Sequence, residues 1–321
     1  MTILVTGSSG FVGSQLVTRL QADGYTVRVL DRTRHDLTRP ESLEGVCEGV
    51  DVVYHLAAYA HINQVDVHRL RDVNIGGTRH LLREAVDAGV ARMVYLSSIL
   101  ADPVMDMPRT DYGDSKLQAE ELLQQAHNAR EIDGVILRPV NVYGPGMKGN
   151  LMTLMRLIRR GLLPPLPRFD AVLSLVGVDD LCSALLAAGS VPLADTARSI
   201  DTAAPEAPRA EALVLPITDG QQYPIKDLEA AIRQALGKST PDWAMPASLF
   251  YLAALGAEAG SRVLGLRNAP GLRSYRALSQ GLVADDSKAR QHLRYNPRAT
   301  FYSELPHIVA GLNARPALPG T

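Results

Sequence analysis

Residues 6–13 read Thr6-Gly7-Ser8-Ser9-Gly10-Phe11-Val12-Gly13, and they follow directly on the apolar run Ile3-Leu4-Val5. Glycines at 7, 10 and 13 permit a tight turn, close approach of the main chain to a pyrophosphate, and close packing of helix on sheet. Val12, Leu16 and Leu20 then repeat every four positions, as they do on one face of a helix. Strand, glycine turn and helix in that order put unpaired N–H groups and a partial positive charge where phosphates bind. A glycine turn without a ligand is common, but this one sits in the strand–turn–helix context that dinucleotide binding requires. Gly7, Ser9, Gly10, Phe11 and Val12 are therefore the first candidate cofactor residues.

Further along, short apolar runs alternate with helical patterns. Val27–Leu30, Val52–Tyr54, Arg92–Leu96 and Val135–Leu137 read as brief strands buried on both faces, and 73–88 and 115–126 carry helix-period apolar positions. Parallel neighbours need a crossover, so this rhythm predicts an α/β chain with a Rossmann-type, doubly wound parallel sheet. After Gly144 the rhythm fades: prolines cluster at 164, 165, 167, 205 and 208, and an amphipathic helix is predicted over 226–236. The expected division is a dinucleotide-binding domain over 1–146, with segments near 170–205 returning to it. A smaller, mostly helical substrate domain is expected over 147–321. The apolar stretch 247–266 contains Glu258, Arg262 and three glycines, so it reads as a buried or amphipathic helix rather than a membrane span.

Composition narrows the classes. With 46% hydrophobic and 21% charged residues among 321, the chain has the balance of a globular enzyme. Thirty-three basic against 34 acidic side chains give a net charge of -1, which offers nucleic acid no basic surface. Two cysteines, Cys47 and Cys182, make no disulfide framework and read as buried apolar groups. The opening MTILVTG shows no basic leader, so a cytoplasmic location is expected. His55 and His61 lack carboxylate or cysteine companions at metal spacing, and no metal site is expected. Trp243 and Phe250-Tyr251 are expected to pack the smaller domain, with the lining of an apolar substrate pocket as the alternative.

The second strand is expected to end at Asp31, whose carboxylate can accept from both ribose hydroxyls of NAD and would repel the extra phosphate of NADP. Arg32 and Arg34 follow, and they are suited to pairing with that phosphate, so NAD is favoured with NADP open. Tyr112-Gly113-Asp114-Ser115-Lys116 puts a tyrosine and a lysine on one helix face. A phenol of pKa about 10 is a poor base at neutral pH by about 4 kcal/mol, and a nearby ammonium narrows that gap. Ser97 and Ser98 close the fourth strand, at the sheet edge where such folds place their chemistry.

Together these residues resemble an extended short-chain dehydrogenase/reductase of the NAD-dependent epimerase/dehydratase type. The resemblance runs through TGSSGFVG, Asp31, Asp36-Leu37, His55-Leu56-Ala57-Ala58, Val73-Asn74-Ile75-Gly76-Gly77-Thr78, Leu96-Ser97-Ser98, Tyr112 to Lys116, and Leu137-Arg138-Pro139-Val140-Asn141-Val142-Tyr143-Gly144-Pro145-Gly146. It implies Asp36 and Leu37 beside the adenine, Leu56, Ala57, Ala58 and Tyr59 along the cofactor, and Asn74, Ser97 and Pro139 towards the nicotinamide. It implies Ser98 orienting the substrate, Tyr112 as acid/base, and Lys116 on the ribose, with a homodimer as the assembly. Lys148-Gly149-Asn150-Leu151-Met152 is similar to the segment that grips the diphosphate in UDP-sugar 4-epimerases. Substrate-binding candidates are thus Ser98, Asn141, Asn150, Leu151 and Arg168; Asn150 alternatively serves as a helix cap.

The chain also departs from the pattern. Only Arg32 to His35 separate the second strand from Asp36, and only 13 residues separate Ser98 from Tyr112. Leu173 stands where epimerases usually place a diphosphate-binding arginine. The leading expectation is hydride-transfer chemistry on a nucleotide-sugar. The second is a 3β-hydroxysteroid-dehydrogenase-like reductase of a hydrophobic hydroxy/keto compound, and the third a cofactor-sensing scaffold without catalysis, which an intact Ser98, Tyr112 and Lys116 argue against.

Overall fold

The computed structural model describes residues 1–59, 66–105, 109–190, 211–263 and 271–313. The chain begins with β1 (Thr2–Thr6), α1 (Phe11–Ala22), β2 (Thr26–Val29), β3 (Val52–His55), α2 (Val67–Arg71), α3 (Thr78–Asp87) and β4 (Arg92–Leu96). Next come α4 (Asp111–Asn128), β5 (Asp133–Pro139), β6 (Asn141–Tyr143), α5 (Asn150–Arg159), β7 (Val172–Gly177) and α6 (Val178–Ser190). The remainder is β8 (Leu213–Ile217), β9 (Gln222–Pro224), α7 (Ile225–Ala235), α8 (Ala247–Val263), α9 (Leu272–Gln280), α10 (Ser287–Leu293) and α11 (Phe301–Asn313).

Two compact units form. The first contains Met1–Val140, Asp179–Ile217 and Asp285–Asn296; the second contains Asn141–Val178, Thr218–Ala284 and Pro297–Thr321. In the first unit six strands run in the order β2-β1-β3-β4-β5-β8, every neighbouring pair parallel. This is the doubly wound sheet that the strand–helix rhythm predicts. Leu4, Val53, Met93, Tyr95 and Ile136 from the strands pack with Leu81, Leu82, Ala85, Ala119 and Leu123 from α3 and α4 into one buried cluster. β2 is the edge strand and three of its four residues are exposed, in keeping with the short connection from Arg32 to Asp36.

The second unit pairs β6 with β7 in parallel and β7 with β9 antiparallel. Tyr143 and Tyr223 both donate to the buried Asp219 carboxylate, at 2.9 and 2.6 Å, and the two rings pack against Phe301.

Several local expectations need correction. β2 stops at Val29, because the main chain turns as the Arg34 and His35 N–H groups both donate to the Asp31 carbonyl. The helix predicted from residue 73 opens with a π-helical turn, Asp72–Gly77, before α3. α5 is capped by Gly149 in the left-handed region (φ 97°), and Asn150 is its first residue rather than its cap. Trp243 is 59% exposed and packs no core. α8 turns Leu249, Leu252 and Leu255 outward and buries Ala254. Apolar residues surround most of this helix, so packing one side leaves the others in water. Phe250 does pack, with Phe169 and Tyr275.

Candidate active site

The glycine turn is shaped by contacts that exclude side chains. Gly7 has φ 70°, and a Cβ there would lie 2.7 Å from the Ala57 nitrogen. A Cβ on Gly13 would stand 2.1 Å from the Gly7 carbonyl oxygen, which lets α1 pack directly on the turn. Gly10 caps α1 without a side-chain hydrogen bond, and no acidic residue occupies the helix's first turn. Main-chain N–H groups with no competing anion fit the pyrophosphate of a dinucleotide. Ser9 and Gly10 are exposed, and Phe11 and Val12 are half-buried, at the head of the helix.

Beyond β2, Asp31 is exposed, and the Thr33 N–H donating to it at 2.9 Å holds its carboxyl below the usual range. Arg32 and Arg34 are exposed beside it. Asp36 accepts from the Thr38 N–H and hydroxyl and lies 3.8 Å from Arg69, which likewise keeps it ionised. Leu37 rests against Gly77, where a Cβ would come within 2.8 Å of it.

Behind Leu56, Ala57, Ala58 and Tyr59 runs a buried polar chain that the sequence did not disclose. The Thr78 hydroxyl donates to the Asn74 carbonyl at 2.6 Å, so the His55 Nε2–H must donate to Thr78 at 2.9 Å. Nδ1 then accepts from Thr6, 2.7 Å away, while the Thr6 oxygen accepts from the Ala57 N–H. His55 is thus neutral, and burial pushes its pKa down to about 3. Asn74, inside the π-helical turn, accepts from the Tyr59 N–H at 2.8 Å and donates to the Tyr59 carbonyl and the Ser115 hydroxyl. Ser115 in turn donates to the Tyr112 carbonyl at 2.8 Å. The π turn re-aims Asn74 across to α4, a use such turns often serve.

Tyr112 and Lys116 both project from α4, whose start is set by Thr110 accepting from the Gly113 N–H at 3.0 Å. The Ser98 hydroxyl lies beside the Tyr112 phenol and favours its ionised form. Ser98 also opens a short 3-10 turn, Ile99–Ala101, by accepting from the Leu100 N–H. Gly113 lets that turn pack closely on α4: a Cβ there would lie 2.2 Å from the Leu100 carbonyl oxygen. Lys116 is buried, its ammonium donating to the Leu96 carbonyl at 2.7 Å and lying 4.4 Å from the centre of the Tyr95 ring. Burial pushes Tyr112 up to about 12 against the lowering influence of the Ser98 hydroxyl, and pulls Lys116 down to about 7 against the favourable charge of Glu120. The Lys116 ammonium donates to the sheet at Leu96 while standing on the same helix as Tyr112.

Ser97 is buried and donates to Glu120. Glu120 is fully buried one turn beyond Lys116 and takes a bidentate hydrogen bond from Arg138, at 3.0 and 2.6 Å. Arg138 also faces Asp102 at 3.3 Å. The sequence signal for this group was present: a glutamate four residues after Lys116, and an arginine inside an apolar strand. Pro139 is buried at the end of β5, opposite Ile217.

The remaining candidates stand on the second unit. Asn141 is exposed on β6, Asn150 and Leu151 begin α5, and Arg168 is exposed with its guanidinium on the Asp242 carbonyl at 3.3 Å. Leu173 is buried within β7. Among the described residues no group of three or more His, Cys, Asp or Glu is placed to hold a metal ion. His61 lies outside the described residues. Cys47 and Cys182 are buried, and burial pushes both thiols up to about 12. No described helix is long and apolar enough to cross a membrane.

A family profile described as the NAD dependent epimerase/dehydratase family matches residues 3–196. UDP-glucose 4-epimerase of Vibrio cholerae is 30% identical over 282 residues, covering 78% of this chain and 79% of that one. The 3 beta-hydroxysteroid dehydrogenase/isomerase of Mycobacterium tuberculosis is 31% identical over 194 residues, covering 50% and 52%. The solved structure of UDP-glucose 4-epimerase from Thermotoga maritima with UDP-glucose matches in fold with TM-score 0.72 at 21% identity, covering 97% and 98%.

Proposed function

This chain belongs to the NAD-dependent epimerase/dehydratase family, and from that premise we propose that it is an oxidoreductase or epimerase of a nucleotide-sugar. It is an NAD-dependent enzyme of the extended short-chain dehydrogenase/reductase kind. The observation that carries the chemistry is Tyr112 and Lys116 one helical turn apart on α4, beside the turn that Ser98 opens at the C-terminal edge of the parallel sheet.

In this reading the glycine turn holds the cofactor's pyrophosphate and Asp31 its adenosine ribose. Asp36, Leu37 and Leu56 to Tyr59 line its path, and Asn74, Ser97, Lys116 and Pro139 stand towards its other end. A bound nicotinamide would supply the hydride acceptor and donor for a substrate carbon. Tyr112 takes the hydroxyl proton as that hydride leaves, and gives it back when the carbonyl is reduced. Ser98 and Tyr112 donate to the oxygen on which negative charge develops. Lys116 supplies positive charge beside the phenol once its ammonium has a second partner to hold.

The second unit is proposed to supply the substrate side. Asn150 and Leu151 begin a helix with no acidic residue in its first turn, which suits a diphosphate, and Asn141 and Arg168 add polar contacts. The relationship to the Vibrio cholerae UDP-glucose 4-epimerase supports the nucleotide-sugar class. A cytoplasmic homodimer is part of the same proposal, and sedimentation at micromolar concentration tests the dimer. Leu173 is buried and stands where the epimerases that the sequence resembles usually place a diphosphate-binding arginine, which favours a second reading, reduction or oxidation of an apolar hydroxy/keto compound. Calorimetric titration with UDP separates the two: saturable binding below millimolar supports the nucleotide-sugar, and no binding at millimolar UDP contradicts it.

A further inference from the structure

Resting on the roles proposed for Ser98, Tyr112 and Lys116, we infer that Asp102, Arg138 and Glu120 form a positioning latch. It fastens the turn that carries Ser98 to the helix that carries the other two. Arg138 rises from β5 with only 10% of its side chain exposed. One edge of its guanidinium is used up by Glu120, with Nε 3.0 Å from Oε1 and Nη2 2.6 Å from Oε2. Its remaining Nη1 reaches Asp102 Oδ2 at 3.3 Å. Asp102 is the C-terminal cap of the turn that Ser98 opens. Ser97, immediately before Ser98, donates to the same Glu120. Both ends of the Ser98 segment are therefore tied to one residue of α4, four positions beyond Lys116.

Fork geometry matters here because a bidentate guanidinium–carboxylate pair fixes direction as well as distance. Stability alone does not explain the choice, since a buried ion pair seldom outperforms well-packed apolar residues of the same size. The cluster is also balanced in charge: Lys116 and Arg138 stand against Glu120 and Asp102. The groups facing Lys116 are Glu120 from its own helix, His55 from β3 and Tyr95 from β4, with Arg138 and Asp102 behind Glu120. Neutralising Asp102 leaves that buried set with an excess positive charge, which disfavours the protonated lysine.

The test uses Asp102→Asn, whose site is partly open to solvent and so tolerates the change, together with the paired variant Glu120→Met/Arg138→Met. Turnover is followed with NAD and UDP-hexose. The Lys116 midpoint is read by NMR of enzyme carrying 13C-labelled lysine, which requires no substrate. The latch predicts that Asp102→Asn lowers kcat about 10- to 100-fold, with KM and NAD affinity nearly unchanged. It also predicts that the Lys116 midpoint moves to lower pH. The double-methionine enzyme should fold, yet stay as slow as Asp102→Asn. Wild-type kcat with an unmoved lysine midpoint in Asp102→Asn would overturn the latch, and so would full turnover in the double-methionine enzyme. Turnover surviving in Tyr112→Phe would instead overturn the reading on which the latch rests.

Discussion

The ammonium of Lys116 donates to the main-chain oxygen of Leu96 at 2.7 Å, at the end of the strand that leads into Ser97 and Ser98. That bond anchors the lysine to the sheet instead of aiming it at Tyr112. Burial then works against both groups, taking the phenol up to about 12 and the ammonium down to about 7. The protein by itself thus keeps Tyr112 protonated, and under the proposed reading its action as a base calls for positive charge beside it.

Replacing Tyr112 by Phe should lower turnover by about 100- to 10,000-fold, the usual worth of a positioned acid/base. NAD binding should stay within a few-fold, because the glycine turn is untouched. Parallel measurement of kcat and of cofactor affinity checks this.

Gly113→Ala should be nearly as damaging, for a steric reason. The added methyl would sit 2.2 Å from the Leu100 carbonyl oxygen, so the Ser98 turn must move away from α4. Overpacking of this kind costs about 1–3 kcal/mol. Thermal unfolding should show that loss, and kcat should fall even at temperatures where the variant remains folded.

Asp31→Asn should relax cofactor choice. Its carboxylate is ionised at neutral pH, and the Thr33 N–H holds it further below the ordinary range. Removing that charge, with Arg32 and Arg34 exposed beside it, should raise the ratio of kcat/KM for NADP over NAD at least about tenfold. Steady-state kinetics with both cofactors decide the matter.

His55 should mark stability with pH. Its folded pKa of about 3 lies below the ordinary 6.5, so the unfolded chain takes up the proton first as pH falls. The contribution is constant above about 6.5 and is lost between there and about 3, at about 1.4 kcal/mol per pH unit. In urea unfolding, the stability gap between wild type and His55→Gln should therefore narrow as pH drops from 6 to 4. A gap that stays constant would mean that His55 is not held neutral.

The first unit was largely legible from its residues. Continuous apolar runs such as Ile3-Leu4-Val5 and Val135-Ile136-Leu137 signal strands buried on both faces, and the glycine turn fixes where the first helix begins. Tyr112 and Lys116 were readable because a spacing of four is a helical contact. The buried polar chain from Thr6 through His55, Thr78 and Asn74 to Ser115 was hidden, since its members come from four separate segments and depend on a π-helical turn. The outward face of α8 was hidden too: an apolar stretch has no marker for which side will find a partner, and Leu249 and Leu252 point to solvent. Glu120 and Arg138 were visible as residues, but their pairing is a fact of the fold.

The most direct test is to incubate the purified enzyme with NAD and a UDP-hexose and follow the sugar ring protons by NMR. The account predicts a product altered at a ring hydroxyl carbon, as its epimer or its ketone, formed by wild type and not by Tyr112→Phe with cofactor binding intact. No change in any UDP-hexose, with oxidation or reduction of an apolar steroid-like compound in its place, would contradict the nucleotide-sugar assignment. Equal turnover by the Tyr112→Phe enzyme would contradict the chemistry assigned to the site.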